Sequence, residues 1–131
     1  MKVAYFMLFI CLLSAQSVAG DLVTSFKEAA ALGDSQEKRH ETRVYFERDL
    51  LPYYEEKYGP VFRSCLASTD HPDTTAFSFV AAIGLDGRVL RLYSDRQTNI
   101  FACVRQALQK EEFPHPPVSP YYLHIGMQFA P

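Results

Sequence analysis

The sequence predicts an α+β fold, in which N-terminal helices precede a β-β-α-β unit with a three-stranded antiparallel sheet. Three observations predict it. Two apolar runs flank Asp86-Gly87, a pair of residues that tolerates the positive φ of a hairpin turn. An apolar stripe at helical spacing follows, from about Thr98 to Lys110. A third run, Tyr121 to Phe129, alternates apolar and polar residues as a one-sided strand does.

The first 19 residues have the pattern of a cleavable signal peptide. Met1-Lys2 gives a basic start, residues 3–13 are nearly all apolar, and residues 17–19 fit a small-x-small cleavage pattern. The apolar run is shorter than the about 20 residues that cross a bilayer. An uncleaved N-terminal anchor is the alternative. We therefore expect an exported, periplasmic protein without a stable membrane span after cleavage.

Composition limits the classes of partner. The chain has 13 basic and 15 acidic residues, and removal of Lys2 with the signal peptide makes the remainder slightly more acidic. A nucleic-acid-binding protein needs a basic stripe, so we expect no nucleic-acid partner. We divide the chain into the signal peptide (1–19), an N-terminal helical region (20–58) and an α+β domain (59–131).

Helix signals and breaks alternate in the N-terminal region. Asp21–Leu32 is predicted to be a helix that Gly33-Asp34-Ser35 ends, because glycine and short polar residues favour helix ends. A second, charged helix is predicted over Gln36–Leu51. Pro52 is expected to interrupt it, and Gly59-Pro60 to break the chain again before a new short helix.

The strands each have two distinct faces. In Ala76–Ile83 the bulky set faces the core, and the small set is predicted to lie under a loop or another chain. The returning strand Arg88–Tyr93 is expected to place Leu90 and Leu92 on the same side. On the last strand, His124 alternates with core positions, so we expect it to face the surface.

Two cysteines remain after the signal peptide, Cys65 and Cys103. Cys65 lies on the apolar face of the helix predicted after Pro60, and Cys103 borders the stripe of the later helix. An even pair in an exported chain favours a disulfide, which would constrain the unfolded chain by ~4 kcal/mol. The alternatives are a metal-binding pair or a catalytic thiol.

The segment Phe113-Pro114-His115-Pro116-Pro117 is predicted to be extended, because three prolines in four residues exclude a helix. Its expected role is to carry the chain from the helix back to the sheet. A proline-recognition motif is the sharper alternative.

Together these residues resemble the C-terminal domain of TonB-type proteins. The resemblance rests on Gly84-x-Asp86-Gly87-x-Val89 in the hairpin and on Phe113-Pro114-x-Pro116-Pro117 before the last strand. It is closest to the cysteine-bearing branch of that superfamily, whose two cysteines correspond to Cys65 and Cys103. The match covers about Gly59 to Phe129.

The resemblance implies a periplasmic domain that binds a protein or peptide by adding an extended strand to a sheet edge. It points to a partner surface around the proline segment and the last strand: Phe113, Pro114, Pro116, Pro117, Tyr121, Tyr122 and His124. Residues 21–60 are predicted to be helical rather than a proline-rich spacer, so we expect an exported stand-alone form and not an energy transducer.

No motif in the sequence specifies catalysis. We find no nucleophile-elbow, Walker or H-E-x-x-H pattern, and the four histidines are scattered, so we expect no enzyme, metal or cofactor. A metal site formed by His115, His124 and His71 is the alternative. The alternative function is a periplasmic immunity or inhibitor protein that neutralises a toxin or hydrolase. In that case the four acidic side chains of the predicted helix Gln36–Leu51 would meet a basic partner.

Overall fold

The computed structural model describes residues 21–130 and confirms the α+β architecture. The predicted signal peptide lies outside these residues. Among them, no helix combines the length and apolarity needed to cross a membrane. The elements follow the order α1 (Phe26–Lys38), α2 (His40–Tyr45), a π-helical turn (Phe46–Leu50), α3 (Leu51–Ser68), β1 (Phe77–Ile83), β2 (Val89–Ser94), α4 (Asn99–Gln109) and β3 (Tyr121–Met127).

The sheet has the order β2-β1-β3, with both pairs antiparallel. Strand β1 is therefore central, and β2 and β3 are the two edges. The bulky residues of β1 form the main core with α3 and α4, as the ring contacts of Phe77 and Phe79 with Phe101 show. On the opposite face, Val80 and Ala82 pack against Ala29 of α1. The small-residue face is thus covered, but by helix α1 and not by the predicted loop or second chain.

Helix α1 passes through its predicted stop. Gly33 lies inside the helix because α1 packs closely on β3. A Cβ at this position would lie 2.6 Å from the carbonyl oxygen of Tyr122, which is too close for any residue other than glycine. The chain leaves the helical conformation six residues later, at Arg39, whose φ and ψ are −77° and 135°.

The two predicted proline breaks are wrong, since the chain stays helical from His40 to Ser68. Pro52 is the second residue of α3 and directly follows the π-helical turn Phe46–Leu50, which interrupts the regular α-helical hydrogen-bond pattern before it. Pro60 lies inside α3, where the burial of Tyr58 and Phe62 on either side holds the helix together. Helix α3 therefore crosses residue 58, the predicted boundary between the two regions.

The prediction that Leu90 and Leu92 lie on the same side of β2 is wrong, because β2 contains a bulge. Ala82 pairs with Arg91 but Ile83 pairs with Val89, so Leu90 is an extra residue on the bulged strand. Val89 and Leu92 consequently pack against the main core. Leu90 is left 50% exposed.

The hairpin and α4 are as predicted. Gly87 has a φ of 81° and its amide donates to the carbonyl of Gly84 at 2.9 Å. The hydroxyl of Thr98 caps α4 by accepting from the amide of Phe101 at 3.0 Å.

Candidate functional site

The predicted cysteine pair is confirmed. The Sγ atoms of Cys65 and Cys103 lie 2.08 Å apart, at disulfide bonding distance, and join α3 to α4. The bond leaves neither sulfur as a thiol nucleophile. Its place in the fold is that of a staple between the two helices that pack under the sheet.

The structure places most of the predicted partner surface in the interior. Only Pro117 is exposed, whereas Pro114 and His124 are half-buried. The remaining four are buried: Phe113, Pro116, Tyr121 and Tyr122. Their side chains are therefore not available to a partner. Sequence alone did not show this, because an aromatic-proline corner has the same composition whether it packs inward or faces solvent.

The segment after α4 closes one end of the β2 edge. The amide of Phe113 donates to the carbonyl of Gly87 at 2.9 Å, and Glu112 forms a β-bridge with Arg88. The approach is so close that a Cβ on Gly87 would lie 2.0 Å from the Phe113 carbonyl oxygen. An added strand cannot pair with β2 at this end.

At Tyr122, the β3 edge is closed by a residue that the sequence analysis did not single out. Gln36 of α1 is buried, its Oε1 accepts from the amide of Tyr122 at 2.8 Å, and its Nε2 donates to the carbonyl of Pro120 at 3.1 Å. The glutamine side chain thus pairs with the strand as a neighbouring strand would. The only sequence signal is a glutamine one turn after Gly33, on the helix face that meets the sheet.

His124 was predicted to face the surface, but it lies under α1 and is half-buried. Its Nδ1 is 2.9 Å from Oδ1 of Asp34, and its ring meets Phe26 edge-on. His115 lies instead beside Glu112, with Nε2 3.6 Å from the carboxylate. Among residues 21–130, no group of three or more side chains is arranged to hold a metal ion.

The other end of the β2 edge is open. The amide of Asp95 donates to the carbonyl of Ser78 at 3.1 Å, which fixes the alternation of the antiparallel ladder. Tyr93 and Arg91 therefore point their backbone groups towards β1, and Leu92 and Ser94 point theirs outward. Within residues 21–130 no hydrogen bond reaches the outward backbone groups of Leu92 or Ser94. An unpaired edge of this kind is a template for another strand.

A groove of about 460 Å³ runs along this open edge, between β2 and α4. Leu90 and Leu92 provide its apolar surface, and Arg91 and Arg105 line it from the strand and from the helix. Neither arginine has a carboxylate within 4.0 Å among the described residues. The groove therefore combines free backbone groups, apolar surface and positive charge.

The most polar buried cluster is satisfied internally. Glu111 follows α4 and accepts hydrogen bonds from Tyr53, Tyr58 and Lys57, the last two at 3.1 and 2.9 Å. Burial alone would raise the pKa of Glu111, but these three hydrogen bonds outweigh burial and lower it. Burial, with the nearby Glu111 charge, raises the pKa of the Tyr58 hydroxyl. The cluster ties α3 to the end of α4.

The function is inferred from this geometry, because comparison with known proteins found no match. No family model, no curated protein and no solved structure matches the chain.

Proposed function

We propose that this protein is a non-enzymatic binding module of the bacterial cell envelope that adds an extended segment of a partner protein to the open edge of β2. The observation that carries the proposal is the outward-facing backbone of Leu92 and Ser94, which no described residue contacts by a hydrogen bond. Strand addition supplies partners for such groups, and side chains beside the edge then provide specificity.

Exposure of the two edges favours β2 over β3. Gln36 occupies the β3 edge at Tyr122, and α1 packs against that strand. On β2, Leu90 and Arg91 are exposed, and the bulge leaves Leu90 outside the regular pairing with β1. We therefore propose the β2 edge as the partner surface, on the opposite side of the sheet from the last strand that the TonB-type resemblance suggested.

A periplasmic location is part of the proposal. The Cys65–Cys103 disulfide fits an oxidising compartment, and the pattern of residues 1–19 fits export. The resemblance to the cysteine-bearing branch of TonB-type domains supports the same compartment and the same binding mode. We infer that the mature chain acts as an adaptor.

The immunity or inhibitor alternative has less support. It depended on an acidic surface over 36–51, but that segment contains four basic residues beside its four acidic ones: Lys38, Arg39, Arg43 and Arg48 against Glu37, Glu41, Glu47 and Asp49. A mixed face of this kind is typical of solvated helix surfaces.

Site-specific photo-crosslinking in intact cells tests the proposal. A photoreactive residue replaces Leu90 at the open edge, and a matched variant carries it at Val44, which is also exposed but lies on α2. We expect one partner to be captured from position 90 and not from position 44. Capture of a single enzyme from position 44 alone would support the inhibitor instead, and no adduct at position 90 would contradict edge binding.

A further inference from the structure

We propose that the segment bound at the β2 edge is acidic. Its two carboxylates are an odd number of residues apart, so that they face opposite sides of the sheet. This inference rests on the proposed edge binding and adds the chemical class of the partner. It is carried by the positions of Arg91 and Arg105, one on each side of the plane of β2.

The two arginines lie on opposite faces. Arg91 projects to the face covered by α1, where its Nη1 donates to the carbonyl of Val23 at 3.3 Å. Arg105 belongs to α4, which packs on the other face with Leu92. It makes no hydrogen bond or ion pair with any residue in 21–130. Both arginines line the groove, so an added strand would pass between two positively charged residues.

No carboxylate among the described residues forms an ion pair with Arg91 or Arg105. Asp86 lies in the hairpin, where its Oδ1 accepts from the amide of Arg88 at 3.0 Å. Asp95 lies past the end of β2, where its Oδ1 accepts from the amide of Ser78 at 2.9 Å. The groove is positively charged although the whole chain has more acidic than basic residues. An acidic ligand would therefore complement this site, and like charge would disfavour a basic one.

The pleat of an added strand sets the spacing of its charges. Successive side chains of a strand point to opposite faces of the sheet. A ligand residue opposite Leu92 would point towards Arg105, and its direct neighbour would point towards Arg91. Adjacent acidic residues would thus meet both arginines, whereas acids separated by one residue would both lie on one face.

The test is an NMR titration of the isotopically labelled protein with three synthetic peptides. All share a Val- and Thr-rich extended sequence. One has two adjacent Asp residues, one has the same two Asp residues separated by a single residue, and one has Asn in place of Asp. We expect the shifts to centre on the amides of Leu92 and Ser94. We expect the adjacent-Asp peptide to bind roughly threefold to tenfold more tightly than the Asn peptide.

Charge reversal supplies the matched variants. Arg105→Glu is expected to abolish the preference for Asp over Asn, and Arg43→Glu on α2 changes the net charge equally but should leave the preference intact. Raising the salt concentration should also weaken the preference.

The outcomes separate the two proposals. Equal binding of all three peptides at Leu92 and Ser94 would overturn the acidic-partner inference and leave edge binding standing. Shifts at Gly126 of β3, or none at either edge, would overturn both. Concentration-dependent shifts at β2 without peptide would overturn the inference by showing that a second copy of this chain occupies the edge.

Discussion

The two edges of the sheet differ in how much of their backbone the protein itself pairs. On β3, the side chain of Gln36 bonds the outward amide of Tyr122, and Gly33 allows α1 to approach the adjoining carbonyl. On β2, the hairpin end is the only part of the outer edge that has such a partner among residues 21–130, through Gly87 and Phe113. The chain thus protects one edge with a helix and leaves part of the other edge available, which is the asymmetry expected of a strand-addition site.

Removing the disulfide should have the largest effect, and it should act on both edges alike. Cys65→Ser combined with Cys103→Ser releases the α3–α4 staple beneath the whole sheet and should cost ~4 kcal/mol of unfolding free energy by loop entropy. Chemical denaturation of the purified protein measures it. Reduction of the wild type provides the control, and a loss below about 1 kcal/mol would show that the staple is not needed.

Opening the β3 edge should have the next largest effect. Gln36→Ala leaves the buried amide of Tyr122 and the carbonyl of Pro120 without their partner, at a cost of about 1–3 kcal/mol. Lys38→Ala, on an exposed position of the same helix, should cost under about 0.5 kcal/mol. Thermal unfolding distinguishes them, and equal stabilities would mean that Gln36 does not close this edge.

The buried carboxylate of Glu111, at the end of α4, should make the unfolding free energy depend on pH. The pKa of Glu111 is lowered in the folded state, so its stabilisation is present above the unfolded-state value of about 4.3 and is lost as pH falls through the folded value. Glu111→Gln should cost about 1–2 kcal/mol at pH 7 and progressively less in acid. Glu112→Gln, at the exposed neighbouring position, is the control. A cost that stays constant from pH 7 to acid would contradict the ionised cluster.

The open edge of β2 should contribute least to stability. Leu90→Ser and Leu85→Ser both alter half-exposed leucines and should each change unfolding free energy by under about 0.5 kcal/mol. Only Leu90→Ser should weaken binding of the adjacent-Asp peptide, since Leu85 lies in the turn outside the groove. Equal loss of binding in the two variants would remove Leu90 from the site.

Sequence patterns predicted the parts of this fold that depend on local spacing. The alternation in β1, the positive φ of Gly87 and the cap at Thr98 each follow from a few neighbouring residues. The α1–β3 contact was not predictable in this way, because Gly33 and Gln36 act on residues nearly ninety positions away. The same glycine that predicts a helix end in isolation serves close packing in the fold.

The candidate site depended even more on long-range geometry. The bulge that exposes Leu90 comes from the register between β1 and β2, and no residue in 88–94 specifies it. Arg105 and Arg91 line one groove only because α4 packs beside β2. The sequence therefore suggested strand addition at a sheet edge, but which edge is open could not be predicted from it.

Amide hydrogen exchange of the free protein, followed by NMR, tests the asymmetry of the edges most directly. Leu92 of β2 and Tyr122 of β3 both point their amides away from β1, but within the described residues 21–130 only Tyr122 has an acceptor, the Oε1 of Gln36. The account predicts that Tyr122 exchanges at least roughly a hundredfold more slowly than Leu92. Equal protection of the two amides, or slower exchange at Leu92, would contradict an open β2 edge.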